Sequence, residues 1–71
     1  MIRDETIGRT EFFFEKKIVV HIGCIGGQFY NGLITEIVGS DFLVINDRML
    51  GETPVYFSQI KMIERFVEVR E

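Results

Sequence analysis

β-Branched residues fill 21 of the 71 positions: ten Ile, seven Val and four Thr. Seven Phe and two Tyr stand beside them, against three Leu and no Ala. Side chains that are stiff at χ1, and broad aromatic rings, suit a pleated and half-buried surface. The residues that most favour helices are almost missing. The expectation is an all-β fold, and at this length a single domain. A chain this short buries only about 60% of the surface its unfolded form exposes. Small domains commonly make up that deficit with disulfides, metals or partner subunits. Cys24 is the one cysteine and His21 the one histidine, so there is no internal disulfide and no Cys/His zinc set. The apolar fraction is 46% and the mean hydropathy +0.17. We read the excess as surface meant for another subunit.

Turn residues divide the chain. Residues 17–24 alternate, with Ile18, Val20, Ile22 and Cys24 on one face and Val19, His21 and Gly23 on the other. Gly26-Gly27 marks a tight hairpin. A long second strand runs over 28–38 and is interrupted by Gly32, the mark of a bend or a close backbone approach. Gly39-Ser40-Asp41 turns into a third strand over 42–45, which Asn46-Asp47 ends. Residues 50–54 read as a loop, 55–57 as a short fourth strand, Ser58-Gln59 as a turn, and 60–69 as a fifth strand. Five short strands with tight turns point to a small closed barrel, which removes most exposed edges. The first 15 residues are open. Thr10 to Glu15 fits a short helix with Thr10 as N-cap and Glu11 in the first turn, whereas Gly8 and the Phe run count against one. This divides the chain into an N-terminal segment, 1–16, and a barrel, 17–71.

Charge narrows the function classes. The formal net charge is −3. The only basic run is Lys16-Lys17, so a broad nucleic-acid face of the kind that neutralises phosphates is not expected. No stretch is apolar for long enough to span a membrane. The charged start, with no apolar signal core, gives the expectation of a cytoplasmic protein whose Cys24 is reduced.

Within that strand pattern, the spacing of Val20, Ile22, Cys24, Gly27, Tyr30, Gly32 and Ile34 resembles the Sm-like (LSm) family. So does the ungapped frame from Leu50-Gly51 through Val55-Tyr56-Phe57 to Ile60-Lys61-Met62-Ile63. The resemblance covers about residues 17–63. It implies a short helix followed by a strongly bent five-stranded barrel. It also implies a homo-oligomeric ring, closed by pairing the fourth strand of one copy with the fifth of the next. RNA-binding members resembling this chain place an Asp, and four residues on an Asn, in the turn after the second strand. Without gaps those positions are Val38 and Phe42; a turn shifted by one brings in Asp41. The first register buries Leu43 and Ile45, the second Phe42 and Val44. The family's Arg-Gly after the fourth strand falls on Tyr56 and Phe57, and its later Asn on Gln59. The scaffold half of the pattern is present and the uridine-reading half is missing.

The candidate nucleic-acid residues are therefore Asp41, Phe42, Tyr56, Phe57 and Lys61. Aromatic faces stack on any base, and a lysine attracts phosphate. Gly27, Gly32 and Gly51 are the structural turn positions. The favoured reading of Tyr56 and Phe57, ahead of base stacking, is that they pack at a subunit contact or cap the barrel. His21 has no partner at useful local spacing and reads as a surface or interface residue. Cys24 falls on a core position and reads as an inert thiol. Gly26-Gly27 has no helix N-terminus behind it and is not a phosphate loop. No paired carboxylates, triad or metal cluster can be assembled, so the expectation is binding without catalysis and without a cofactor. Two functions fit: an assembly that engages single-stranded RNA with weak sequence preference, or a protein-interaction scaffold of the same shape.

Overall fold

The computed structural model describes residues 4–67. One helix, α1 (Asp4–Lys16), precedes five strands: β1 (Val20–Cys24), β2 (Phe29–Val38), β3 (Phe42–Asp47), β4 (Gly51–Tyr56) and β5 (Ile60–Arg65). A single 3-10 turn, Phe57–Gln59, joins β4 to β5. All pairings are antiparallel, and the strand order across the sheet is β4-β3-β2-β1-β5. The first and last strands of that order, β4 and β5, form its edges.

Alternation produces the core. Val20 and Ile22 from β1, Ile34 from β2, Leu43 and Ile45 from β3, Val55 from β4 and Ile63 from β5 all turn inward. Phe57 closes the layer from the 3-10 turn, and Phe13 caps it from α1. The burial of Leu43 and Ile45, both fully enclosed, resolves the two registers of the third strand in favour of the ungapped one. Phe42 and Val44 are only half-buried.

The sheet bends at two irregularities. Between β2 and β3 the partners run Ile37↔Leu43, Glu36↔Val44, then Ile34↔Ile45, which leaves Thr35 unpaired. Between β1 and β5, Gly23 faces Met62 but Cys24 faces Ile60, which leaves Lys61 as the extra residue. Each bulge increases the local twist and flips the inward phase of its strand. That is why Ile34 and Ile37, three apart, both serve the core side. Gly32 is needed for another reason. It faces Asp47 across the ladder, and a Cβ there would lie 2.0 Å from the Asn46 carbonyl oxygen.

Several boundaries differ from the sequence reading. The helix is 13 residues long and starts at Asp4. Thr10 is not its N-cap; it is buried mid-helix, and its hydroxyl donates to the Thr6 carbonyl at 2.8 Å. Ile7, Thr10 and Phe13, three apart, put one face on the sheet and outweigh the cost of Gly8. β1 begins at Val20 rather than at residue 17, because Lys17 takes φ 55 to end the helix. The expected loop over 50–54 is largely strand: Gly51 to Pro54 already pair with β3. The fifth strand ends at Arg65 rather than 69; residue 69 lies outside the described residues. Gly26-Gly27 does make the hairpin, with Gly27 at φ 90 and its N–H donating to the Cys24 carbonyl at 2.9 Å.

Candidate nucleic-acid interface

The β2–β3 turn brings three of the sequence candidates together. Phe42 opens β3 and Tyr56 ends β4, directly opposite each other. Their aromatic rings lie 5.4 Å apart between centroids, tilted by 43°. Tyr56 is 55% exposed. Cross-strand aromatic pairs of this kind stabilise the ladder and hold both rings in place. Asp41 is exposed next to them, and its carbonyl accepts the Phe57 N–H at 3.0 Å.

The other two candidates are elsewhere. Phe57 is a correction: its side chain is 3% exposed and belongs to the core, so it offers no face for stacking. It continues the alternation of β4, two residues after the buried Val55 and one after the extended Tyr56. Lys61 is exposed, but on β5, the opposite edge of the same sheet. It lines a groove of about 300 Å³ with Glu5, Arg9 and Glu64. Arg9 Nη1 donates there to the Ile63 carbonyl at 3.2 Å. Acids and bases alternate around that groove, so it is no basic patch.

A second aromatic surface went unnoticed in the sequence. His21 stacks on Phe29 with centroids 5.2 Å apart and planes at 15°. His21 Nδ1 and Asn31 Oδ1 form a hydrogen bond, which makes Nδ1–H the donor. The hairpin register explains the cluster, since His21 pairs with Asn31, and Gly23 with Phe29. A two-residue turn at Gly26-Gly27 would have set His21 opposite Gly32; the observed turn spans residues 25–27, with the Cys24 N–H on the Gln28 carbonyl, and brings Asn31 there instead. His21 has no partner close in sequence, and Asn31 stands ten positions away.

Two ionisable groups are shifted by their surroundings. The Asp47 carboxylate accepts the N–H groups of Met49 (2.8 Å), Asn31 (3.0 Å) and Leu50 (3.0 Å). These bonds, led by Met49, hold its pKa below the ordinary 3.8 against the opposing effect of burial. Asp47 is thereby a structural clamp on the β3–β4 turn. Burial pushes the Cys24 thiol up, away from nucleophilic behaviour. Among the described residues, no group of three or more His, Cys, Asp or Glu could hold a metal ion. No described helix is long and apolar enough to cross a membrane.

No protein-family model matches the chain, and no curated protein matches its sequence. Structure is more informative. A crystal structure of the pleiotropic translational regulator Hfq superimposes with a TM-score of 0.72, covering 84% of this chain and 97% of that one, at 17% identity. The chain has the Sm-like fold. At that identity the likeness lies in backbone architecture: one N-terminal helix and five bent antiparallel strands. The ungapped register places Val38 at the end of β2 and Phe42 at the start of β3, paired across the turn.

Proposed function

We propose that the chain assembles with copies of itself into a ring and that the ring binds single-stranded RNA with little base preference. The observation that carries this reading is the pair of unpaired edges, β4 and β5, at the two ends of one sheet. Edges of one molecule that differ from each other favour a heterologous contact, which closes when the rotation allows. Several exposed apolar side chains add surface for such a contact, Ile25 and Leu50 among them. The Sm-like fold is shared with a translational regulator, which supports an RNA ligand. The Phe42–Tyr56 pair supplies a stacking face. It carries no amide or carboxylate set aimed at a base edge, so stacking there is sequence-tolerant. Nothing in this reading calls for catalysis; the assembly acts by binding.

The test joins light scattering to fluorescence anisotropy with labelled oligouridine and oligoadenine. The expected result is an oligomer whose affinities for the two RNAs are similar, on the order of 1–100 µM, and fall with salt. Tyr56→Ala weakens both, and Lys61→Ala mainly flattens the salt dependence. Tight oligouridine binding that ignores Tyr56→Ala would move the site elsewhere. An oligomer that binds neither RNA would favour the protein-interaction scaffold.

A further inference from the structure

The one proline of the chain, Pro54, lies in β4, an edge strand. The ladder reveals which way its nitrogen faces. Along an antiparallel pair, backbone groups alternate between facing the partner strand and facing away. The Phe57 N–H donates to the Asp41 carbonyl at 3.0 Å. Asp41 and Phe57 are thus a hydrogen-bonded pair, one step beyond Phe42↔Tyr56 in an unbroken register. Counting back, Leu43↔Val55 and Ile45↔Thr53 are bonded pairs, whereas Phe42↔Tyr56, Val44↔Pro54 and Asn46↔Glu52 are not. Glu52, Pro54 and Tyr56 therefore turn their backbone groups to the free edge. All three present a carbonyl there. Only Glu52 and Tyr56 present an N–H, and the missing donor falls between them.

The other edge has no such gap. The Phe66 N–H donates to the Val19 carbonyl at 2.9 Å, continuing the Val20↔Arg65 register. The same count turns the backbone of Ile63 and Arg65 outward, each with its N–H.

We propose that Pro54 limits strand pairing at the β4 edge and so keeps the contact between copies of this chain weak and reversible. The inference rests on the assembly reading above and adds how its contact is tuned. A strand laid along β4 finds no donor at Pro54, so one of its own carbonyls loses its partner as water is excluded. Two β4 edges placed together meet that gap twice, which disfavours self-pairing through β4 relative to pairing with β5. An exposed edge also attracts any extended chain, and a proline on its open side blunts it without disturbing the sheet behind.

Two substitutions in β4, both facing away from β3, test this by sedimentation equilibrium. Pro54→Thr restores the missing donor and should tighten subunit association about two- to tenfold per contact. Glu52→Pro removes a second donor and should loosen association by a similar factor, with circular dichroism reporting an intact fold. A Pro54→Thr variant that associates where the wild type does not supports the proposal. A wild type that assembles with the same affinity as Pro54→Thr overturns the role of Pro54 and leaves assembly standing. Monomers for both proteins at high concentration overturn the assembly reading, and this inference with it.

Discussion

Asp47 and Gly32 hold the same turn from opposite sides. Asp47 gathers three backbone N–H groups from β2 and from the β3–β4 turn. Asp47→Ala leaves those donors without their acceptor and should cost about 1–3 kcal/mol at neutral pH, measured by urea unfolding. The pH dependence has a definite sign. The folded carboxyl titrates below its ordinary value of 3.8, so its contribution is fully present above that value. It fades as pH falls through the lower folded value. The gap between wild type and Asp47→Ala should therefore narrow in acid below pH 3.8; a gap that widens there contradicts the clamp. Gly32 is required by distance, since its backbone is pressed against the Asn46 carbonyl. Gly32→Ala forces β2 from β3 and should cost at least about 3 kcal/mol. A urea midpoint close to the wild type would show that the strands separate easily. Of the two, Gly32 was legible as a glycine inside a strand. The role of Asp47 was not, because one of its three donors, Asn31, is 16 positions away in sequence.

The clearest element-scale feature is the stop of α1. The Ile18 N–H donates to the Phe13 carbonyl at 3.0 Å and the Lys17 N–H to the Phe14 carbonyl at 3.3 Å. This paired closure ordinarily places a glycine in the left-handed position. Here that position is Lys17, at φ 55. Its Cβ meets the strain that a glycine avoids. Lys17→Gly should therefore stabilise the protein by up to about 1 kcal/mol, read as a higher denaturation midpoint. A lower midpoint would mean that the lysine side chain contributes more than its backbone costs. The helix also shows why the residue types of the N-terminus alone leave its structure open. Its inward residues, Ile7, Thr10 and Phe13, are all of types that favour strands, yet their spacing of three fits a helix laid on the sheet. The fourth strand was shortened for a similar reason. Pro54 reads as a breaker until it is known to lie on the open edge.

At the scale of the whole molecule, the open sheet edges and the apolar surface are the grounds for the proposed assembly. A protein stabilised by copies of itself becomes more stable as its concentration rises. The thermal midpoint should therefore climb by several degrees over a roughly hundredfold rise in protein concentration. A midpoint that stays constant would indicate that one chain is stable alone and that the edges remain free. The charge of −3 gives RNA no general attraction, so any affinity has to come from local stacking and from cations brought together by several copies. Within one chain the aromatic pair and Lys61 stay on opposite edges.

The amino-acid order alone was enough for the strand class, the Gly26-Gly27 hairpin and the inward set Ile18, Val20, Ile22 and Cys24, because alternation and turn chemistry are local properties. The family frame was legible for the same reason: it is a spacing of glycines and apolar residues. Three features required the folded chain. The register of β3 was open until the burial of Leu43 and Ile45 decided it, since sliding by one residue exchanges the faces without changing the pattern. The bulges at Thr35 and Lys61 arise from how neighbouring strands twist, and no residue at either site announces them. The fate of each candidate side chain depended on those choices. Tyr56 emerges into solvent, and Phe57, the next residue, fills the core, because one peptide step in extended chain reverses the side a residue faces.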